Sequence, residues 1–236
     1  ADFDVFCLQE VPEDVLKRLQ ALPYHLSFRT DVFRVFTGGT SRIYVVTLSK
    51  HPILSQGQIA FPDYWPFLPW RARFFVRLMR RFHFSKMQER GGMYTDINIQ
   101  GRIVRVFNLH LILAHPEWRL REFESALAER HSTYPAVVCG DFNVLEAPHI
   151  TPLNWLMGTT LGHAVFYRRE RTHIEKRFVE YELQNPLRGK ITHPFSLSQL
   201  DHILVSHSLS IKNAEVLPDR TGSDHHPIRV EIDPHT

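Results

Sequence analysis

Cysteine is scarce in this chain: Cys7 and Cys139 are the only two in 236 residues, and both lie inside apolar runs. A disulfide framework needs more cysteines in a smaller chain, so buried free thiols are expected. Long apolar runs are missing too, and nothing approaches the roughly 18 consecutive apolar residues of a spanning helix. Charge of one sign does not accumulate. Lys and Arg number 28 against 25 Asp and Glu, a formal net charge of +3 with 15 histidines outside that sum. So mild a bias suits an anionic substrate without being a nucleic-acid footprint by itself. Gly38-Gly39 lacks the Lys-Ser/Thr that would complete a phosphate loop, and no G-x-S-x-G nucleophile elbow occurs. No leader is visible, although a start at Ala1 leaves a processed or trimmed terminus open. The expectation is a soluble monomer, the cytoplasm favoured, with peripheral membrane association left open.

What is present is organised around Val137 to Val144, V-V-C-G-D-F-N-V. A short apolar run ends at Gly140, then a carboxylate and a carboxamide follow at alternate positions. This reads as a buried strand emerging at a sheet edge, with Asp141 and Asn143 on one face and Phe142 behind. A strand followed by a plain Asp/Asn turn is the competing reading. Gly140 leaves room for backbone or substrate to come close.

Upstream, Phe3 to Glu10 is a strand ending in a glutamate that is costly to bury without a positive partner, either a salt bridge or a metal ion. A helix is expected from Pro12 to about Leu22, then strands to Leu54 with a hairpin turn at Thr37-Gly38-Gly39-Thr40. Residues 59–90 read as an aromatic, basic insertion in which Trp70, Phe74, Phe75, Leu78, Met79 and Phe82 recur at helical spacing beside Arg73, Arg77, Arg80 and Arg81. Its arginines form either a solvated face or a surface that meets anionic lipid or a nucleic-acid backbone. Two strands, Met93 to Ile99 and Ile103 to Leu113, follow around the turn Gln100-Gly101-Arg102, and the second carries Asn108 and His110 on one face. A helix runs from Glu117 to Arg130, entered through Pro116. Pro148 to Gly162 reads as loop and short helix, and 163–195 as loops and short irregular elements. Strands at Gln199 to Ser206 and Ile228 to Ile232 complete a single domain, 1–236.

The polar intrusions fall at the ends of apolar strands: Glu10, Asn108 with His110, Asp141 with Asn143, Asp201, and Asp224 with His225. One or two carboxylates with water and substrate oxygens suit Mg²⁺. A zinc site would show three clustered His or Cys ligands, and only His225 and His226 adjoin. The parts point to metal-assisted attack of water on a phosphate ester.

Leu8-Gln9-Glu10, N-L-H-L at Asn108 to Leu111, G-D-F-N at Gly140 to Asn143, L-D-H-I at Leu200 to Ile203 and S-D-H-H-P at Ser223 to Pro227, in that order, resemble the endonuclease/exonuclease/phosphatase superfamily. Pancreatic-type deoxyribonuclease, abasic-site endonucleases, neutral sphingomyelinases and inositol-polyphosphate phosphatases belong to it. The resemblance implies a four-layered α/β sandwich, with two mainly antiparallel sheets flanked by helices, as in deoxyribonuclease I. It implies that Glu10 binds Mg²⁺, with Mn²⁺ as a substitute, and that Asp224 sits near the metal. Asp141 would orient and deprotonate water, while Asn143 and His110 hold phosphate oxygens with Asn108 beside them. Asp201 would orient His225, which stabilises charge on phosphorus. Members usually carry an asparagine strand ahead of the L-Q-E strand, so the expectation is a chain lacking that first strand and truncated at its N-terminus.

The favoured reading is a Mg²⁺-dependent phosphodiesterase acting on a phospholipid, resembling the sphingomyelinase branch through Ser49 to Ile53, N-L-H-L and residues 59–90. A nuclease is the alternative. A silent binding module is third, and the retained acidic and histidine set argues against it.

Overall fold

The structure is a computed structural model that describes residues 3–36, 39–80, 86–88, 90–113, 115–166 and 168–233. Alternation of apolar residues builds two sheets. In the first, β1 (Val5–Pro12), β2 (His25–Phe36), β3 (Gly39–Ser49) and β5 (Lys86–Gln88) take the order β1-β3-β2-β5. In the second, β4 (Ile53–Ala60), β6 (Gly91–Ile99), β7 (Arg102–His110), β8 (Ala136–Asp141), β9 (Leu183–Gln184) and β10 (Asp201–Ser206) take the order β4-β6-β7-β8-β10-β9. A hairpin of β11 (Ser210–Val216) and β12 (Ile228–Asp233) pairs with neither sheet among the described residues.

Among the described residues, six α-helices connect or cover these strands: α1 (Glu13–Leu19), α2 (Trp70–Arg80), α3 (Pro116–Leu127), α4 (Thr151–Leu156), α5 (Leu161–Val165) and α6 (Arg169–Glu180). All pairings are antiparallel except β7 with β8, which run parallel. Parallel neighbours need a long crossover, and α3 supplies it.

Period-two alternation explains the layers. Val104 and Val106 of β7 face Val5 and Cys7 of β1 in an inter-sheet core, while Phe107 and Leu109 face Phe123 of α3, with Ile174 and Phe178 of α6 in the same cluster. Leu16 of α1 packs with Val46 and Leu48 on the outer side of the first sheet. The layers are therefore helix, sheet, sheet, helices, as the resemblance implies.

Several boundaries differ from the sequence reading. The first helix is shorter, Glu13–Leu19, with Pro12 as its cap. Phe36 pairs with Gly39 as a hairpin requires, and residues 37–38 lie outside the described residues. Residues 163–195 are not loops throughout, because α6 occupies their centre. Its buried face holds only Ile174 and Phe178 as apolar anchors, the rest being Glu170 and Glu175, so the hydrophobic period is broken by carboxylates. Those carboxylates are paired: Arg119 Nε and Nη2 donate to the two Glu170 oxygens at 2.5 and 2.7 Å. The strands β4 and β11 are likewise additional.

The segment 59–90 begins with the end of β4 and continues into α2. Leu68 and Ala72 are buried and Phe75 packs near Trp118, but Trp70, Phe74 and Leu78 are 75%, 62% and 48% exposed, with Arg73 and Arg77 exposed beside them. Arg81 and Phe82 lie outside the described residues. The cysteines are free and half-buried.

Candidate active site

Strand register sets the site. On three adjacent strands His110 pairs with Asp141 across β7 and β8, and Asp141 pairs with Asp201 across β8 and β10. The three side chains thus stand in a row at one end of the second sheet, His110 Nε2 lying 3.8 Å from Asp141 Oδ2. Gly140 makes the close spacing possible: its φ is +143°, and a Cβ there would collide with the Leu109 carbonyl.

Each end of the row carries an Asp–His pair. Asp201 Oδ2 accepts from His225 Nδ1 at 2.8 Å, as the family pattern implies. At the other end Asp31 Oδ2 sits 2.6 Å from His110 Nδ1. Asp31, on β2 of the opposite sheet, is fully buried, and its other oxygen, Oδ1, has no hydrogen-bond partner among the described residues. Sequence reasoning missed it. A lone carboxylate in the strand S-F-R-T-D-V-F is the same signal that singled out Glu10, but the segment was read only for its turn. Arg90 was missed as well; it donates to the His110 carbonyl at 2.9 Å and pairs with buried Glu122, fastening the end of β7.

Asp141 ends its strand. The Asn143 N–H donates to Asp141 Oδ1 at 2.8 Å and Asn143 has φ +53°, so the two residues form an Asx turn and do not alternate on one extended face. The strand and the turn are both real here, in succession. One Asn143 amide hydrogen goes to the Leu111 carbonyl at 2.9 Å.

Glu10 also has positive φ, +53°, where the β1–β3 register shifts between Leu8 and Val11. The bulge turns it outward, exposed, on a cleft of about 1800 Å³ that is also lined by His110, Asp141, Asn143, Asp201, Asp224 and His225. Asp224 is exposed in the loop before β12. Asn108 points elsewhere: fully buried, it donates to the Val46 carbonyl at 2.9 Å and accepts from Gln9 Nε2 at 2.7 Å, bridging the two sheets. Of the residues expected at the site, it alone is absent from the cleft lining.

Charge follows from burial and neighbours. Burial, then the Asp201 charge, push the Asp141 carboxyl up to about 6, against the pull of His110 and His225. Burial alone would favour a neutral His110, but the charge and hydrogen bond of Asp31, with Asp141, outweigh it and raise the imidazole to about 9. For His225 burial is likewise overcome by Asp201, then by Asp141 and Asp224, again to about 9. Near neutral pH Asp141 is largely ionised, with the His110 and His225 imidazolium groups on either side of it. Glu10, Asp141, Asp201 and Asp224 line the same cleft, and carboxylate oxygens are the kind of hard donor that Mg²⁺ prefers.

The model of the endonuclease/exonuclease/phosphatase family matches residues 1–225. The chain belongs to that family. No curated protein matches the sequence. Among solved structures, the endonuclease/exonuclease/phosphatase from Beutenbergia cavernae DSM 12333 is similar with a TM-score of 0.67 at 17% identity, over 97% of this chain. This chain spans only 62% of that one. The 3′ phosphatase NExo from Neisseria, bound to product DNA hairpin, gives 0.58 at 19% identity, covering 98% of this chain and 89% of the other. D. rerio TDP2 complexed with single strand DNA product gives 0.57 at 14%, covering 98% and 86%. At these identities the likeness establishes the fold, an α/β architecture with mixed and antiparallel sheets flanked by helices. No described helix is long and apolar enough to cross a membrane.

Proposed function

We propose that this chain is a metal-dependent phosphoesterase that hydrolyses a phosphate ester, a phosphodiester at a phospholipid surface being favoured, by direct attack of water. The observation that carries the reading is the row Asp31, His110, Asp141, Asp201, His225, with its central carboxylate raised and its two imidazoles held protonated.

Asp141, close to neutral in its proton affinity, orients the water and takes its proton. His110 and His225 carry positive charge to the phosphate oxygens, and Asn143 offers its remaining amide hydrogen. Asp31 and Asp201 fix the two ring orientations, each occupying Nδ1 and leaving Nε2 for the substrate. Negative charge grows on those oxygens as phosphorus becomes five-coordinate, so preorganised cationic donors stabilise the transition state more than the ground state. Glu10 and Asp224 would hold Mg²⁺, or Mn²⁺ in its place, which when bound supplies further positive charge against the phosphate. Asn108, through Gln9, positions Glu10 and does not touch substrate.

The phospholipid preference is supported by α2. Trp70, Phe74 and Leu78, at i, i+4 and i+8, present an exposed apolar stripe beside two arginines, the pattern of a helix that lies in a bilayer interface. Nuclease action is the second reading, favoured by the DNA-bound state of the Neisseria and D. rerio structures. Liposome sedimentation and phospholipid hydrolysis, set against nuclease digestion, each with Mg²⁺ and with EDTA, separate the two. Asp141→Asn and His225→Ala are each expected to lower turnover by about 10²- to 10³-fold. Unchanged turnover in both would overturn these roles.

A further inference from the structure

The loop that brings the chain from β9 back to β10 carries His193 to the mouth of the cleft, against a residue the chemistry already uses. His193 and His225 have ring centroids 4.7 Å apart, and His193 Nε2 lies 3.9 Å from Asp224 Oδ2. One ligand atom from each of His193, Asp224 and His225 lies within 4.8 Å of the others. Here are the three clustered ligands that His225 and His226 did not supply: His226 turns away, its Nδ1 3.0 Å from the Leu217 carbonyl.

We propose that His193, Asp224 and His225 form a binding site for a zinc-class transition-metal ion, and that its occupation withdraws His225 from turnover. The donor chemistry is two imidazoles and one carboxylate, a borderline set that suits zinc over magnesium and leaves a fourth position for water. His225 Nδ1 meets Asp201 Oδ2 at 2.8 Å, as metal-binding histidines commonly meet a carboxylate, and this keeps its Nε2 for the ion. His193 Nδ1 lies 2.7 Å from Ser196 Oγ and accepts from the Ser196 N–H at 3.2 Å, so ligation through its Nε2 requires the proton to move to Nδ1, where Ser196 Oγ can accept it. Tetrahedral zinc holds such ligands at about 2.0–2.2 Å, which asks the three atoms to draw somewhat closer. Asp224, with its side chain 81% exposed, is free of packing that would oppose the movement.

The binding claim stands on this geometry. The inhibitory claim rests on the role proposed for His225. Zinc occupying Nε2 removes the hydrogen that His225 would offer to the phosphate, so the site acts as an off-switch.

The test is calorimetric titration of the chain with Zn²⁺ in excess Mg²⁺, because Asp224 is shared with the magnesium reading, together with the visible spectrum after Co²⁺ substitution. One zinc per chain is expected, with the intense cobalt absorption of a four-coordinate site. His193→Ala should weaken zinc by at least about tenfold and make Mg²⁺-supported turnover resistant to zinc, and His193→Cys should restore both. A weak six-coordinate cobalt spectrum, or equal zinc affinity in His193→Ala, overturns the site. The cobalt spectrum of the unaltered chain decides this even if the variant fails to fold. Zinc bound as expected with no phosphoesterase turnover would retain the site and sink the hydrolase reading. Turnover without zinc binding would do the reverse.

Discussion

Asp31 on β2 and His110 on β7 meet across the two sheets at 2.6 Å, a carboxylate from one layer completing an imidazole from the other. The pair mirrors Asp201 with His225 at the opposite end of the row. Asp31→Asn removes the largest of the charges that overcome burial, so the His110 proton affinity falls from about 9 while Asp141 still holds it up. A smaller share of His110 is then protonated at pH 7. Turnover at pH 7 is expected to drop by up to about 10²-fold, and the alkaline limb of the pH profile to move to lower pH. Rate profiles against pH, with ¹⁵N shifts of the His110 ring, check this; a profile identical to the parent's would refute it.

The unaltered chain should show a bell-shaped dependence of kcat/KM on pH. Asp141 works deprotonated, so activity rises with pH through about 6. His110 and His225 work protonated, so activity falls as pH rises through about 9. The two imidazoles interact through Asp141 and lose their protons as a coupled set. A bound divalent cation favours ionised Asp141 and offsets the Asp224 charge that helps hold His225 protonated, so raising Mg²⁺ should move both limbs to lower pH. A limb that rises through 9 would reverse the assigned protonation states.

The Arg119–Glu170 pair predicts stability apart from chemistry. Both side chains are buried, and the Arg119 guanidinium also donates to the Ile112 carbonyl at 3.1 Å. Arg119→Ala leaves Glu170 without its partner in a site closed to water. Breaking a buried pair in this way costs about 3–5 kcal/mol, measurable by urea unfolding. Replacing both residues by Met should cost much less, because no charge remains to be solvated.

That pair also shows why part of the fold was illegible. Strands such as β7 and β8 announce themselves because most positions on both faces are apolar. The helix α6 does not, since its inward face is half carboxylate and the cation that pairs with Glu170 lies on another element, Arg119 being 51 residues away. Pattern reading treats Glu170 and Glu175 as surface and loses the period. Glu10, Asp141, Asn143, Asp201, Asp224 and His225 break apolar patterns at strand ends, and the cleft gathers all of them with His110. Asn108 breaks the same pattern for another reason, because a buried amide can bridge two sheets as well as hold a ligand. Asp31 and His193 reach the site from distant segments, and no local spacing encodes that.

Gly140 tests whether the row depends on backbone approach. A methyl group there meets the Leu109 carbonyl, and the residue's φ of +143° is strained for any L side chain. Gly140→Ala must push β8 from β7 at the point where His110 and Asp141 are paired. Stability is expected to fall by about 1–3 kcal/mol, and turnover by more than the lost stability explains, since Asp141 moves with the strand. Parent-like turnover in the folded variant would count against the spacing argument.

The exposed stripe of α2 gives the last prediction, and it concerns partners. Exposed aromatics contribute nothing to the core, so Trp70→Ser with Phe74→Ser should leave the thermal midpoint nearly unchanged. If the stripe enters a bilayer interface, each ring buries there with roughly 1.5–3 kcal/mol, so losing both should weaken sedimentation with anionic vesicles by more than about tenfold. Arg73→Gln with Arg77→Gln should instead make binding weaker mainly at low salt, because the charge contribution is screened as ionic strength rises. Single-stranded DNA provides the opposing measurement. If the aromatic pair weakens DNA retention while vesicle binding is unaffected, the stripe is a base-stacking platform and the nuclease reading gains.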